Sequence, residues 1–179
     1  ILSGALAPGQ QFSLREIAGQ LQVSFIPVRE ALRYLVSEGL VVTRPGRSAV
    51  VAQLDLDDLQ AIYRLRRSIE PDIARRACLL KTDEELDRLE KIATSWSDTS
   101  LMLDAIYQEH NAFHLALLRP ATSPWDERIL TVLWRAAERH LRIGFGALDP
   151  NPDERDRRAH AHTNLISSFR SRDPEAASA

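Results

Sequence analysis

Two histidines stand one helical turn apart in HNAFH, His110 to His114. Leu103, Ile106, Tyr107, Phe113 and Leu117 recur around them at i, i+3 and i+4, so both imidazoles fall on the stripe a helix buries. Two imidazoles at this spacing can ligate one metal ion. His162 shares a later stripe with Leu165, Ile166 and Phe169, whereas His160 falls on the other side. His140 aligns with Ile129, Leu133 and Ala136 and is expected inside the fold, as a further ligand or an effector-pocket group. One inward histidine is usually a satisfied core residue. Three from two helices, His110, His114 and His162, predict a divalent-metal site. A polar pocket that uses the same rings as hydrogen-bond donors is the competing reading.

Catalysis is not predicted. The H-E-x-x-H motif of metalloproteases has the same histidine spacing, with its Glu as general base. Here Asn111 stands at that position and cannot take up a proton at neutral pH. No Gly-rich phosphate loop, G-x-S-x-G elbow or Cys/His pair is found elsewhere. Arg66 lies on a stripe of Leu59, Ile62, Tyr63, Ile69 and Ile73, so its guanidinium should point inward and requires a carboxylate. Glu70, one turn on, is the internal candidate; a bound organic acid is the functional one. Pro71 predicts a kink in that helix.

A second chemistry is carried by SFIPVREALRYL, Ser24 to Leu35. Ser24 is the expected cap, Pro27 fits a first turn, and Val28, Ala31, Leu32, Leu35 and Val36 form the expected buried stripe. Gly39 supplies the stop. The preceding segment, SLREIAGQL, opens with a Ser13/Glu16 capping box. The two helices form a helix-turn-helix. LVVT and AVVA around RPGRS then predict a hairpin with basic residues at its tip. That order is a winged helix-turn-helix. Recognition helices present their N-terminal residues to base edges, which assigns Phe25, Ile26 and Arg29 to bases and Arg33 to phosphate. Arg15 is a further base or phosphate contact, and Arg44 and Arg47 would meet backbone or minor groove.

The overall fold expected is mainly α. A winged helix-turn-helix DNA-binding domain spans 1–53, and an all-helical bundle spans 54–179. Helices are expected near 57–80, 83–96, 99–119, 125–147 and 153–172, separated by short polar or proline-containing breaks. The charge supports this division. Net charge is −2 overall, yet residues 1–52 carry five Arg against three Glu, leaving an acidic remainder. The single cysteine, Cys78, excludes an internal disulfide and a Cys-rich zinc site. That cysteine usage predicts a reducing, cytoplasmic compartment, and with no bilayer-length apolar run no membrane span is expected. Ile1 at the start and EAASA at the end predict a longer natural protein.

The chain resembles the GntR family of bacterial transcription regulators, in the FadR-type subgroup with an FCD effector domain. The resemblance rests on V-S-x-x-P-V-R-E-A-L followed by L-x-x-E-G-L-V. In the second half it rests on LRRSIEP, FHLALL, and His162 with Leu165 and a later RD. It implies a homodimeric, ligand-responsive regulator, often a repressor, that reads a short palindromic operator in double-stranded DNA. It also implies a metal, commonly zinc, beside a small carboxylate effector in the bundle. By position, Arg15 and Arg29 match DNA-contacting residues, Ser24 belongs to the recognition motif, and Gly46 with Arg47 match the wing. Arg66 matches the inward arginine, and His114 and His162 match metal ligands.

Three departures stand out. Phe25 replaces a frequent DNA-contacting Arg, His110 replaces a usual Asp ligand, and the final helix with the last histidine ligand is not reached. The site is therefore expected to be incomplete within this chain. The alternative from another class is a metal-binding helical sensor or metal-dependent hydrolase without specific DNA binding.

Overall fold

The computed structural model describes the chain apart from residues 2–4, 44–47, 99, 101–102 and 146–150, and apart from the side chains of 103, 104, 108 and 143–145. Two compact units are present, Ile1–Leu59 and Gln60–Ala179.

In the first unit, β1 (Gln11–Phe12) leads into α1 (Leu14–Leu21) and α2 (Phe25–Ser37), followed by β2 (Val41–Val42) and β3 (Ala49–Val51). The Ser13/Glu16 capping box starts α1, and Gln22 ends it in the left-handed region at φ 54°. Gly39, at φ +69°, lets the chain reverse after α2, and the Leu40 N–H donates to the Leu35 carbonyl at 2.9 Å. The strands form an antiparallel sheet in the order β1-β3-β2, with Gln11 opposite Val50 and Val42 also opposite Val50. β1 was not expected, because two residues are too few to show strand periodicity. Ala18, Val28, Val41, Ala49 and Val51 make the small core.

Two details of α2 differ from expectation. Ser24 has extended backbone but makes no side-chain capping bond. Ala31 and Val36 are exposed, so the buried stripe narrows to Val28 with the half-buried Leu32 and Leu35. A unit this small has too little surface to cover a full helical face.

The second unit comprises α3 (Leu56–Leu80) from Gln60 onward, α4 (Asp83–Ser95), α5 (Leu103–Leu118), a 3-10 turn (Arg119–Ala121), α6 (Pro124–Phe145), α7 (Pro152–Arg170) and α8 (Pro174–Ser178). α8 lies beyond the last expected helix, and α3 runs continuously through Pro71. One core joins Ile73, Cys78, Leu86, Phe113, Leu130, Trp134, Ile166 and Phe169. α7 packs along α4, and Arg170 reaches Asp87 at 2.9 Å and Glu90 at 3.0 Å. Arg172 donates to the Cys78 carbonyl at the end of α3 at 2.8 Å and pairs with Asp83 at 2.7 Å. These links hold α7, and the histidine it carries, against the helices opposite. No described helix is long and apolar enough to cross a membrane.

Candidate metal and effector cavity

α5 and α7 bring His110, His114 and His162 together, with one ligand atom of each within 4.8 Å of the others. The helical spacing on α5 sets the first pair, whose Nε2 atoms are 3.2 Å apart. His162 Nδ1 lies 2.7 Å from the Arg158 carbonyl. A carbonyl only accepts, so Nδ1 carries the proton and Nε2 keeps its lone pair. Trp96 stands edge-on to His162 at 4.9 Å, and Phe113 packs edge-on to His114 at 5.3 Å. Aromatic walls thus restrict how the rings can turn.

Burial keeps these imidazoles neutral, the form that binds metal. It lowers the His110 pKa to about 3, helped by the charges of His162, Arg66 and Arg158. Burial also drives His114 well below the ordinary histidine value, with His110 and His162 adding to the shift. His162 is lowered by burial, partly offset by its bond to Arg158. The donor set fits a metal ion. Two nitrogens bound tetrahedrally at about 2.05 Å would sit about 3.3 Å apart, close to the 3.2 Å observed between His110 and His114. Without an ion, the same separation suits an N–H···N bond between neutral rings.

These shifts have a stability consequence for the metal-free chain. The unfolded chain takes up protons near about pH 6.5, whereas folded His110 resists until about 3. Stability is therefore full above about pH 6.5 and is lost as the pH falls from there toward 3. The slope is at most about 1.4 kcal/mol per pH unit for each such histidine. Urea unfolding of chelator-treated protein at pH 7 and pH 5 checks this; equal midpoints would contradict it.

The histidines lie on the wall of a cavity of about 300 Å³. Trp96, Ile106, Trp134, Ala137 and Leu141 give it an apolar lining. Arg66, Arg155, Arg157 and Arg158 outnumber Glu138 and Glu154 on its walls, which favours an anionic guest. Arg66 is half-enclosed and already paired: its Nε is 2.7 Å from Glu70 Oε1, which also accepts the Trp134 indole N–H at 2.7 Å. Burial pulls the Arg66 pKa down, but the Glu70 bonds and charge, with Tyr63, hold it above the ordinary value. Glu70 is thus the internal partner of Arg66. Asn111 donates to Glu138 at 2.6 Å, so the residue in the general-base position of H-E-x-x-H holds a neighbouring carboxylate in place.

Among the described residues, His140 lies outside both the histidine cluster and the lining of this cavity. Its Nδ1 sits 3.0 Å from the Ala136 carbonyl, and Nε2 is buried without a hydrogen-bond partner among the described residues. The face of α6 that meets the cavity runs through Trp134, Ala137, Glu138 and Leu141, one residue round from the expected stripe, whose Ile129 is exposed. The size of Trp134 decides which face turns in. Arg155 and Arg158 were missed because charges at a helix start read as solvated. Their spacing with Ala159, His162, Ile166 and Phe169 along one stripe is the signal that could have found them.

In the first unit, Arg15, Ser24, Phe25, Ile26, Arg29 and Arg33 are all exposed. Glu30 pairs with Arg33 at 3.0 Å and more loosely with Arg29 at 3.8 Å. Exposed pairs of this kind are worth about 0–1 kcal/mol, so a polyanion can displace the carboxylate. Arg44, Gly46 and Arg47 lie outside the described residues.

Two family profiles match the chain. The profile for bacterial regulatory proteins of the gntR family matches residues 1–51, and that for the FCD domain matches 61–179. The HTH-type transcriptional regulator BphR of Paraburkholderia xenovorans is 30% identical over 154 residues, which are 80% of this chain and 62% of BphR. The chain thus spans less than two thirds of that relative's length. The HTH-type transcriptional repressor RspR of Escherichia coli is 28% identical over 179 residues, covering 96% of this chain and 74% of RspR. The fold is that of E. coli McbR/YncC, at a TM-score of 0.75 and 22% identity over 99% of this chain and 84% of that one. Both relatives are named as HTH-type transcriptional regulators or repressors. The chain belongs to the gntR family of bacterial regulatory proteins, in the form that joins a helix-turn-helix unit to an FCD domain.

Proposed function

We propose that this protein represses transcription in the bacterial cytoplasm by binding a short palindromic operator as a homodimer, and that a small organic acid in the bundle cavity controls that binding. His110, His114 and His162 would hold a divalent ion, zinc being the natural occupant of an all-imidazole set. The ion would supply a Lewis-acidic, positively charged anchor for a carboxylate. Arg155 and Arg158 would steer the anion into the cavity, and Arg66, held in place by Glu70, would offer a hydrogen-bond donor on its wall. The carrying observation is the convergence of three neutral imidazoles on the wall of an arginine-rich cavity. Elemental analysis of the purified chain, with thermal melting against a panel of organic acids, tests this reading. It expects about one equivalent of metal per chain and a raised melting temperature with at least one acid. No retained metal and no response to any acid would contradict it.

On the DNA side, Arg29 is the proposed base reader. Ser24, Arg15 and Arg33 would contact the backbone, and Arg44, Gly46 and Arg47 would form the wing contact. Arg29→Ala is expected to weaken operator binding by about 1–3 kcal/mol and to relax sequence preference. Fluorescence anisotropy on wild-type and altered operators measures both. Unchanged affinity would remove Arg29 from the base-reading role.

A further inference from the structure

The first two residues of the recognition helix are apolar and open to solvent: Phe25 is 45% exposed and Ile26 65%. Val28, Leu32 and Leu35 carry the core contacts of α2; Ile26 points away from them, and Phe25, on their side of the helix, stays half open at its first turn. The first turn of α2 carries no acidic residue, whereas α1, α3, α4, α6 and α7 each carry at least one there. A carboxylate at this place would repel phosphates. The basic groups on the same helix, Arg29 and Arg33, are also exposed. The surface is thus apolar at its tip and cationic behind it, and in this family's fold the tip of that helix meets base edges.

In the major groove the apolar group a base edge offers is the C5-methyl of a pyrimidine. Phe25 and Ile26 have no side-chain donor or acceptor with which to tell the O4 of thymine from the N4 amino group of cytosine. We infer that Phe25 and Ile26 read the C5-methyl group itself, so that the operator is recognised through thymine methyls and 5-methylcytosine can stand in for thymine in that contact. Cytosine C5-methylation within a half-site would then strengthen binding. Burying one methyl is worth about 0.8 kcal/mol, or about fourfold in affinity.

The test begins by enriching operators from a randomised duplex library with the full chain. Each pyrimidine of the recovered half-site is then changed one methyl at a time, comparing uracil with thymine and cytosine with 5-methylcytosine inside the same base pair. At one or two positions per half-site the methyl should tighten binding about fourfold on either base. That gain should vanish in Phe25→Ala or Ile26→Ala and persist in Arg29→Ala, whose affinity is lower throughout. Alanine at these exposed positions leaves the core untouched, and the base exchanges leave the protein unaltered. The inference is overturned if no position shows the methyl gain, if the gain survives both apolar substitutions, or if it occurs on uracil but not on cytosine. Failure to enrich any duplex would overturn it as well.

Discussion

Glu70→Ala is expected to destabilise the helical unit by about 3 kcal/mol, the low end for breaking an enclosed ion pair by removing one partner. The low end applies because the Arg66 and Glu70 side chains keep 17% and 25% of their exposure. Glu70 accepts two hydrogen bonds from Arg66, at 2.7 and 3.3 Å, and one from the Trp134 indole at 2.7 Å. Alanine leaves the guanidinium against Tyr63 without its counter-charge and leaves the buried indole N–H without an acceptor. Glu70→Gln keeps an acceptor for Trp134 and should lose less. Because Arg66 lines the cavity, an organic acid that enters it should stabilise Glu70→Ala more than wild type. Urea unfolding with and without the acid measures both effects. A variant as stable as wild type would mean the pair contributes nothing net.

His114→Ala is expected to lower divalent-metal affinity by more than about 100-fold. Loss of outer partners alone costs about 10–100-fold, and a direct ligand should cost more. The His114 ring lies 4.5 Å from His110 and 5.3 Å from His162 between centroids. His160→Ala and His140→Ala serve as controls, since neither ring belongs to the cluster. Competition against a chromogenic chelator reads all three. Retained affinity in His114→Ala, or equal loss in His140→Ala, would contradict the assignment of ligands.

Much of this was legible in the sequence because it is local. A Ser13/Glu16 box, a left-handed Gly39 and a 3.6-residue period are each written within a few residues. The same holds for His110 and His114 on one turn, and for Glu70 as a partner of Arg66. What was not legible depends on which of two adjacent helix faces wins. On α6 both Ile129-Leu133-Ala136-His140 and Leu130-Trp134-Ala137-Leu141 are plausible apolar stripes. Packing led by Trp134 at 4% exposure turns the second toward the cavity, although Leu133 of the first is buried too. The arginines of α7 show the converse problem. DERDRR reads as a solvated helix start, yet Arg155 is buried with its guanidinium on the Asp98 carbonyl at 2.8 Å. The stripe of Arg155, Ala159, His162, Ile166 and Phe169 signals an inward face, but the partner carbonyl, 57 positions away, is not written in that spacing. β1 was too short to signal at all.

The most direct test of the account is operator affinity under control of the cavity. Anisotropy titrations would compare metal-loaded wild type with His114→Ala across a panel of organic acids. The account predicts that at least one acid changes wild-type operator affinity about fivefold or more, the lower bound of ordinary allosteric coupling, and that His114→Ala loses the response while still binding DNA. An equal response in His114→Ala, or no response from wild type to any acid in the panel, would contradict it.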